Sequence, residues 1–146
     1  MLFIVGSLLV AGTSPALAEE VDPAVFAPLQ TFAEGMSSGE MSRAAIAFAP
    51  AAAITDSFAP YHWSSFADWI KDGDRFFKAN GVTDFHIALA APSTTDVTDD
   101  HAYAVVPTTE TFLANGKPTE EKGVFTFALI RTGSGWRITS VSWSTL

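Results

Sequence analysis

Residues 101–144 read HAYAVVPTTETFLANGKPTEEKGVFTFALIRTGSGWRITSVSWS. Apolar and polar residues alternate with a period of two through three long segments, which is typical of strands with one buried face. Asn115-Gly116 is a strong signal for a type I′ hairpin turn, and Gly133-Ser134-Gly135 marks a second turn. The sequence therefore predicts a meander of three long antiparallel strands, His101–Leu113, Thr119–Thr132 and Trp136–Ser144.

These turns also predict which side chains share a face of the sheet. If Ala114 pairs with Lys117, and Thr132 with Trp136, small residues of one strand lie opposite large residues of the next, as in a face packed under helices. The predicted inner face carries Ala102, Ala104, Val106, Phe125, Phe127, Leu129, Val141 and Trp143. The predicted outer face carries Tyr103, Val105, Thr126, Ala128, Ile130, Ile138, Ser140 and Ser142. Half of the outer residues are apolar, so we expect a homodimer that associates through this face.

Helical patterns precede the meander. Val25, Leu29, Phe32 and Met36 recur at helical spacing, and because proline is favoured at a helix start we expect this first helix to begin near Pro28. A second short helix is predicted at Glu40–Ala47, where Pro50 would end it, followed by a strand at Ala52–Phe58.

The third helix has the clearest signals. Ser65 and Asp68 form an S-x-x-D capping pattern, and Asn80-Gly81 is typical of a helix C-terminus. After Gly81 the period changes to two, which predicts a strand that Pro92 interrupts and that resumes to Val97. Three helices followed by an antiparallel sheet give an α+β fold.

The N-terminus predicts export. Leu2–Ala11 is apolar and is followed by Ala16-Leu17-Ala18, a small-x-small cleavage pattern. The run is shorter than the roughly 20 apolar residues of a membrane-spanning helix. We therefore expect a signal peptide at 1–18, cleaved after Ala18, and a periplasmic or secreted domain at 19–146. A basic n-region is absent, so a membrane-tethered or buried first segment stays an alternative.

Composition limits the chemistry and the partners. The chain has 146 residues, no cysteine and a net charge of −8. Thiol chemistry and disulfides are therefore excluded, and stability must come from packing. An acidic surface repels phosphate backbones and anionic lipids, so we expect no nucleic-acid partner and no membrane partner after cleavage.

Several segments together resemble a known superfamily. They are ITDSFAPYHW (54–63), the W-x-x-D of Trp69–Asp72, AYAVVP (102–107), NGKP (115–118) and GWRITSVSW (135–143). Over the mature chain they resemble the nuclear transport factor 2-like, SnoaL-like superfamily, and most of all its uncharacterised exported bacterial members. The resemblance implies a cystatin-like cone, in which a curved antiparallel sheet wraps around a long helix and a pocket opens between them. It does not imply an activity, because this fold hosts isomerases, cyclases, dehydratases and non-catalytic binders.

Asp56 is the first candidate site residue. The resemblance places it where ketosteroid-isomerising relatives carry their general base, and burial in an apolar cone would raise its pKa. That chemistry typically also uses a tyrosine on the first helix, where this chain has Leu29, Phe32 and Met36. The alternative is that Asp56 only caps the turn at 57–60.

Aromatic residues supply further candidates. Tyr61, His62 and Trp63 could line the mouth of the cone, with His62 as a tentative proton carrier, or could seal its end as ordinary core. Trp69, Phe125 and Trp143 are expected in the core, and we include them in the pocket lining.

Glu110 and Glu121 form an unexpected pair. The predicted register makes them face each other on the inner face, where repulsion would keep one protonated as an acid/base pair. In the alternative, which we favour at this point, the hairpin end projects into solvent and Lys117 or Lys122 neutralises both.

His62, His86 and His101 show no metal-ligand spacing, and we expect neither a metal nor a cofactor.

Two classes of function follow from these candidates. We favour a non-catalytic domain that binds a small, largely apolar molecule and self-associates through the outer face. The alternative is a small isomerase, dehydratase or cyclase with Asp56 as general base.

Overall fold

A computed structural model describes residues 22–146, and the signal peptide predicted at Met1–Ala18 lies outside them. The helices are α1 (Pro23–Ser38), α2 (Met41–Ile46) and α3 (Phe66–Ala79). The strands are β1 (Phe48–Thr55), β2 (His62–Trp63), β3 (Val82–Leu89), β4 (Thr94–Thr98), β5 (His101–Ala114), β6 (Lys117–Thr132) and β7 (Gly135–Thr145). None of the helices in residues 22–146 has the length and apolar character needed to cross a membrane.

The strands form one curved, unclosed sheet, which confirms the predicted α+β fold. The strand order is β2-β1-β7-β6-β5-β3, and β4 pairs with β5. The meander of β5, β6 and β7 is antiparallel as predicted. β1, however, pairs with β7 in parallel, so the sheet is mixed where an antiparallel sheet was expected. No hairpin turn joins these two strands, and nothing in the local sequence therefore indicates their relative direction.

The register of the meander confirms most of the predicted pairs. Val106 pairs with Phe125 across β5 and β6, and Phe127 pairs with Val141 across β6 and β7. The turn itself differs, because Thr132 pairs with Gly135 rather than with Trp136. The one-residue difference is taken up by a β-bulge after Ala128.

That bulge corrects the position of Ile138. We predicted Ile138 on the outer face, but the extra residue turns its side chain inward, where it pairs with Leu129 and is fully buried. The eight residues predicted for the inner face are all buried.

The first helix begins earlier than predicted. It starts at Pro23, and the Asp22 side chain accepts a hydrogen bond from the Ala24 N–H at 2.9 Å. Proline at the first helical position has no N–H to satisfy there, so Asp22-Pro23 is the actual start signal. Pro28 lies inside the helix and is buried against the core.

The first strand also differs from its prediction. It spans Phe48–Thr55, not Ala52–Phe58, and therefore contains Pro50. The pairing with β7 is irregular between Phe48 and Ala53, which is where a residue without an N–H is tolerated. Asp56 consequently follows β1 and does not lie within it.

The third helix and the core agree with the sequence. The Ser65 hydroxyl accepts the Asp68 N–H at 3.2 Å, and Gly81 adopts a positive φ of 61° after the helix. Phe32 of α1 is fully buried at the centre of the core. The centroid of its ring lies 5.6 Å from that of Phe125 on the sheet and 6.1 Å from that of Trp69 on α3. The first and third helices thus pack on the inner face of the sheet.

Candidate functional site

A cavity of about 400 Å³ lies between α3 and the inner face of the sheet. This volume falls within the range of small-molecule sites in proteins. Most of its lining is aromatic or aliphatic, and its acidic residues are the main polar ones. The lining comprises Met36, Met41, Asp56, Ser57, Phe58, Trp69, Ile70, Gly73, Asp74, Phe76, Phe77, Asn80, Val82, Phe85, Ile87, Glu110, Phe112, Ala114, Glu121, Phe125 and Trp143.

Glu110 is the buried carboxyl of this cavity. It follows Val106 and Thr108 along the inner face of β5 and is only 8% exposed. Its carboxyl group has no hydrogen-bond partner among residues 22–146. Ile87 of β3 pairs with it on one side and Glu121 of β6 on the other.

The pKa of Glu110 is raised to about 8. Burial is the largest cause, and the negative charges of Asp56 and then Glu121 add to it. At neutral pH most molecules therefore carry a protonated Glu110, which can donate a hydrogen bond into the cavity.

The structure thus corrects the alternative that we favoured for the two glutamates. The predicted pairing of Glu110 with Glu121 is present, but Glu110 is not solvated. Neither predicted lysine neutralises the pair within residues 22–146. Instead, Lys122 lies 3.7 Å from Glu120. Because β3 and α3 extend along this end of the meander, the inner face stays covered as far as Phe112 and Ala114.

Asp56 lines the same cavity from the loop after β1. Its carboxylate accepts a hydrogen bond from the Trp69 indole N–H at 3.0 Å and another from the Ser57 backbone N–H at 2.6 Å. Burial raises the pKa of Asp56, while these hydrogen bonds favour the ionised form and limit the rise. Asp56 and Glu110 therefore differ. Hydrogen-bond donors stabilise the ionised form of Asp56, whereas Glu110 has no such donor within residues 22–146.

The cluster Tyr61, His62 and Trp63 does not line the cavity, which corrects the predicted pocket. Tyr61 is 60% exposed, and His62 is exposed as well. Trp63 is buried against Phe58, with ring centroids 4.8 Å apart, and its indole N–H donates to Asp72 at 2.9 Å. In β2 alternate side chains point to opposite faces, so only Trp63 can reach the core.

The other predicted aromatic residues do line the cavity. Phe125 and Trp143 lie side by side on the sheet with ring centroids 4.7 Å apart. Gly123 makes room for Trp143, because a Cβ atom there would come within 2.4 Å of the indole ring. Trp69 of α3 forms part of the opposite wall.

Sequence reasoning missed a second group of wall residues. Phe77, Phe85 and Phe112 form a chain of aromatic contacts, with ring centroids 5.0 Å and 6.2 Å apart. Phe76 is 41% exposed although it lies on the apolar stripe of α3. The apolar stripe of α3 is longer than its contacts with the core require, and this excess of apolar residues was the signal in the sequence.

Within residues 22–146 no three His, Asp or Glu side chains lie close enough together to hold a metal ion.

Comparison with known sequences identifies the family. The sequence model of the SnoaL-like domain matches residues 25–146, which is most of the chain. This chain belongs to the SnoaL-like domain family. The predicted superfamily is thereby confirmed. No curated protein matches the sequence.

Several solved structures have the same fold. An NTF2-like superfamily protein from Salmonella enterica serovar Typhimurium has a TM-score of 0.72 at 15% identity, covering 84% of this chain and 89% of that one. An NTF2-like protein with a cystatin-like fold from Novosphingobium aromaticivorans has a TM-score of 0.68 at 17% identity, covering 85% and 80%. A proposed dehydratase of the NTF2-like family from Streptomyces avermitilis has a TM-score of 0.69 at 18% identity, covering 85% and 94%. At these identities the similarity establishes the cystatin-like fold of this SnoaL-like domain and nothing about its ligand.

Proposed function

We propose that this SnoaL-like domain binds a small, largely apolar molecule in the cavity between α3 and the sheet. The observation that carries the proposal is Glu110, a buried carboxyl without a partner that adjoins a cavity walled by aromatic rings. An apolar wall provides most of the binding free energy, and one or two polar groups fix the orientation of the ligand.

A probe ligand tests this proposal. Neopentylbenzene is small enough for about 400 Å³ and would change the fluorescence of Trp69 and Trp143 in the cavity wall. The Ala114→Phe variant adds a ring inside the cavity and should weaken binding at least tenfold. Ala45→Phe adds the same ring at an exposed position of α2 and should leave binding unchanged. Equal affinities for the two variants would contradict binding in the cavity.

Proton transfer is the second candidate function, and the contrast between Asp56 and Glu110 favours it. A carboxylate that accepts a proton and a carboxylic acid that donates one line the same apolar cavity. Pairs of titratable groups with different protonation states are typical of acid–base sites. Asp56 would remove a proton from the carbon next to a ketone, and Glu110 would protonate the ketone oxygen to give the enol.

Deuterium exchange tests this second function without knowledge of the substrate. The α-hydrogens of 2-tetralone, a small apolar ketone, exchange with solvent D₂O through the enol. We expect the protein to accelerate this exchange and both Asp56→Asn and Glu110→Gln to abolish the acceleration. Glu120→Gln, on the exposed face of the same hairpin, is the matched control. An unchanged exchange rate in both site variants would exclude the proton-transfer role.

We also propose that two copies associate through the outer face of β5, β6 and β7. Within β5, β6 and β7 the centre of this face carries Val105, Thr126, Ala128 and Ser142 and no charged side chain. Charged residues flank this centre: Lys122 pairs with Thr109, Arg137 with Ile130, and Asp96 of β4 with Tyr103. A second copy with the same uncharged centre could therefore pair with it although the chain carries a net charge of −8.

Export is the remaining part of the proposal and rests on the sequence of residues 1–18. If the segment is a cleaved signal peptide, intact-mass measurement of the protein from the periplasm or medium should give a chain that begins at Glu19. A protein that retains Leu2–Ala11 in the membrane fraction would support the tethered alternative instead.

A further inference from the structure

The cavity is acidic and contains no basic side chain. Four of its lining residues are acidic. No Lys, Arg or His is among the lining residues in the described part of the chain, 22–146. The carboxylate of Asp74 lies 3.0 Å from the ammonium group of Lys78 at the surface. Asp56, Glu110 and Glu121 have no cationic partner in this part of the chain.

Glu110 is a second observation at this cavity. The residue is 8% exposed, lines the cavity and has no hydrogen-bond partner within residues 22–146. Burial removes part of the hydration of this carboxyl, and no side chain or backbone group within residues 22–146 replaces it. A bound molecule with a hydrogen-bond-donating or positively charged end would supply the partner.

The walls are suited to a positive charge on an apolar body. The rings of Trp69, Phe125 and Trp143 line the same cavity as the carboxyl groups, and aromatic faces attract cations. Ile70, Phe77 and Phe85 add further aliphatic and aromatic surface to the lining. An inorganic cation would leave this surface empty, whereas an amine with a hydrocarbon or aromatic body would cover it.

We propose that the ligand of this cavity is an apolar amine, bound with its ammonium group next to Glu110, Asp56 and Glu121. This inference rests on the proposed function, since it specifies the class of small molecule that the cavity holds. It is distinct from the proton-transfer role, which requires a neutral Glu110.

Protonation of Glu110 is then linked to binding. An ammonium group beside Glu110 favours its ionised form, so binding displaces the proton that the empty cavity retains. The other charged groups that line the cavity are Asp56 after β1, Asp74 on α3 and Glu121 on β6, and the lining residues of α1 and β3 carry no charge. Affinity for a permanent cation should therefore rise with pH up to about pH 8, where the empty cavity loses that proton, and then level off.

Two isosteric probes test the inference. Benzyltrimethylammonium and neopentylbenzene have the same shape, and only the first carries a charge, which does not titrate. We expect the cation to bind the wild-type protein at least tenfold more tightly at pH 8, with an affinity that rises up to about tenfold per pH unit between pH 6 and 8. Binding of neopentylbenzene should not rise with pH. Glu110→Gln should remove most of the rise, and Glu120→Gln should retain it.

The outcomes separate the two proposals. If neopentylbenzene binds as tightly as benzyltrimethylammonium, the amine inference is wrong and the apolar-ligand function stands. If neither probe binds, both fail. Because the comparison of the two probes uses the wild-type protein, it decides the question even if Glu110→Gln folds poorly.

Discussion

At the scale of single residues, the protonation of Glu110 connects the site to stability. Its pKa in the folded protein is about 8 against an ordinary value of 4.5, so the folded state binds this proton more tightly than the unfolded state does. The contribution of Glu110 to the free energy of unfolding is therefore greatest below about pH 4.5. This contribution decreases as the pH rises towards 8. The largest slope that one such group can produce is about 1.4 kcal/mol per pH unit.

We predict that Glu110→Gln removes most of this pH dependence. Urea unfolding between pH 5 and 8 should show a decline in the wild-type free energy of unfolding that is much smaller in the variant. Glu120→Gln changes an exposed glutamate on the same hairpin and should keep the wild-type slope. Parallel curves for the wild type and Glu110→Gln would show that Glu110 does not retain a proton on folding.

The indole of Trp69 should control the charge of Asp56. Its N–H donates to the Asp56 carboxylate at 3.0 Å and so favours the ionised form. Trp69→Phe removes this donor and keeps an aromatic ring, so we expect the pKa of Asp56 to rise further. A ¹³C NMR titration of the Asp56 carboxyl carbon measures the change. Trp136→Phe, at a buried tryptophan that does not line the cavity, should leave that pKa in place.

At the scale of elements, two helix glycines should respond oppositely to alanine. A Cβ at Gly35 of α1 would lie 2.4 Å from the backbone nitrogen of Ala44 in α2, so Gly35→Ala must separate the two helices. We expect a loss of about 1–3 kcal/mol in the free energy of unfolding. A Cβ at Gly73 of α3 would lie 3.6 Å from Phe58, an ordinary contact, so Gly73→Ala should gain about 0.5–1 kcal/mol from helix propensity. Equal effects of the two substitutions, measured by thermal unfolding, would contradict this packing.

The elements also show how far the sequence determines the fold. Features that depend on neighbouring residues are predicted correctly. Asn115-Gly116 predicts the β5–β6 register, and Ser65 predicts the start of α3. The bulge near Thr139 has no local signature. It lets Phe127 meet Val141 although the preceding turn is one residue shorter than predicted, and it places Ile138 in the core.

The candidate site was predictable only in part for a similar reason. The pairing of Glu110 with Glu121 follows from the turn, but its burial depends on β3 and α3 covering the same end of the sheet. That cover is a long-range contact, so periodicity could not distinguish a buried pair from a solvated one. Tyr61 and His62 are adjacent in sequence to the buried Trp63, and adjacency alone does not place a side chain in a cavity.

At the scale of the whole molecule, we predict a dimer that dissociates when one charged side chain is introduced into the contact. Val105 is half-buried on the outer face, and Val105→Asp would bring a carboxylate into the proposed contact. Sedimentation equilibrium should give a dimer for the wild type and a monomer for this variant. Val97→Asp places the same charge on an exposed valine of β4, whose side chain lies on the other face, and should stay dimeric. A monomeric wild-type protein would contradict the proposal.

The central claim is that the protein holds a protonated glutamate in a cavity whose walls are mostly aromatic and aliphatic. A pH titration of the Glu110 side-chain carboxyl carbon by ¹³C NMR, on the wild-type protein without added ligand, tests it most directly. We predict a midpoint near pH 8. A midpoint near the ordinary glutamate value of 4.5 would show that Glu110 is solvated and would remove the basis of both the proposed function and the amine inference.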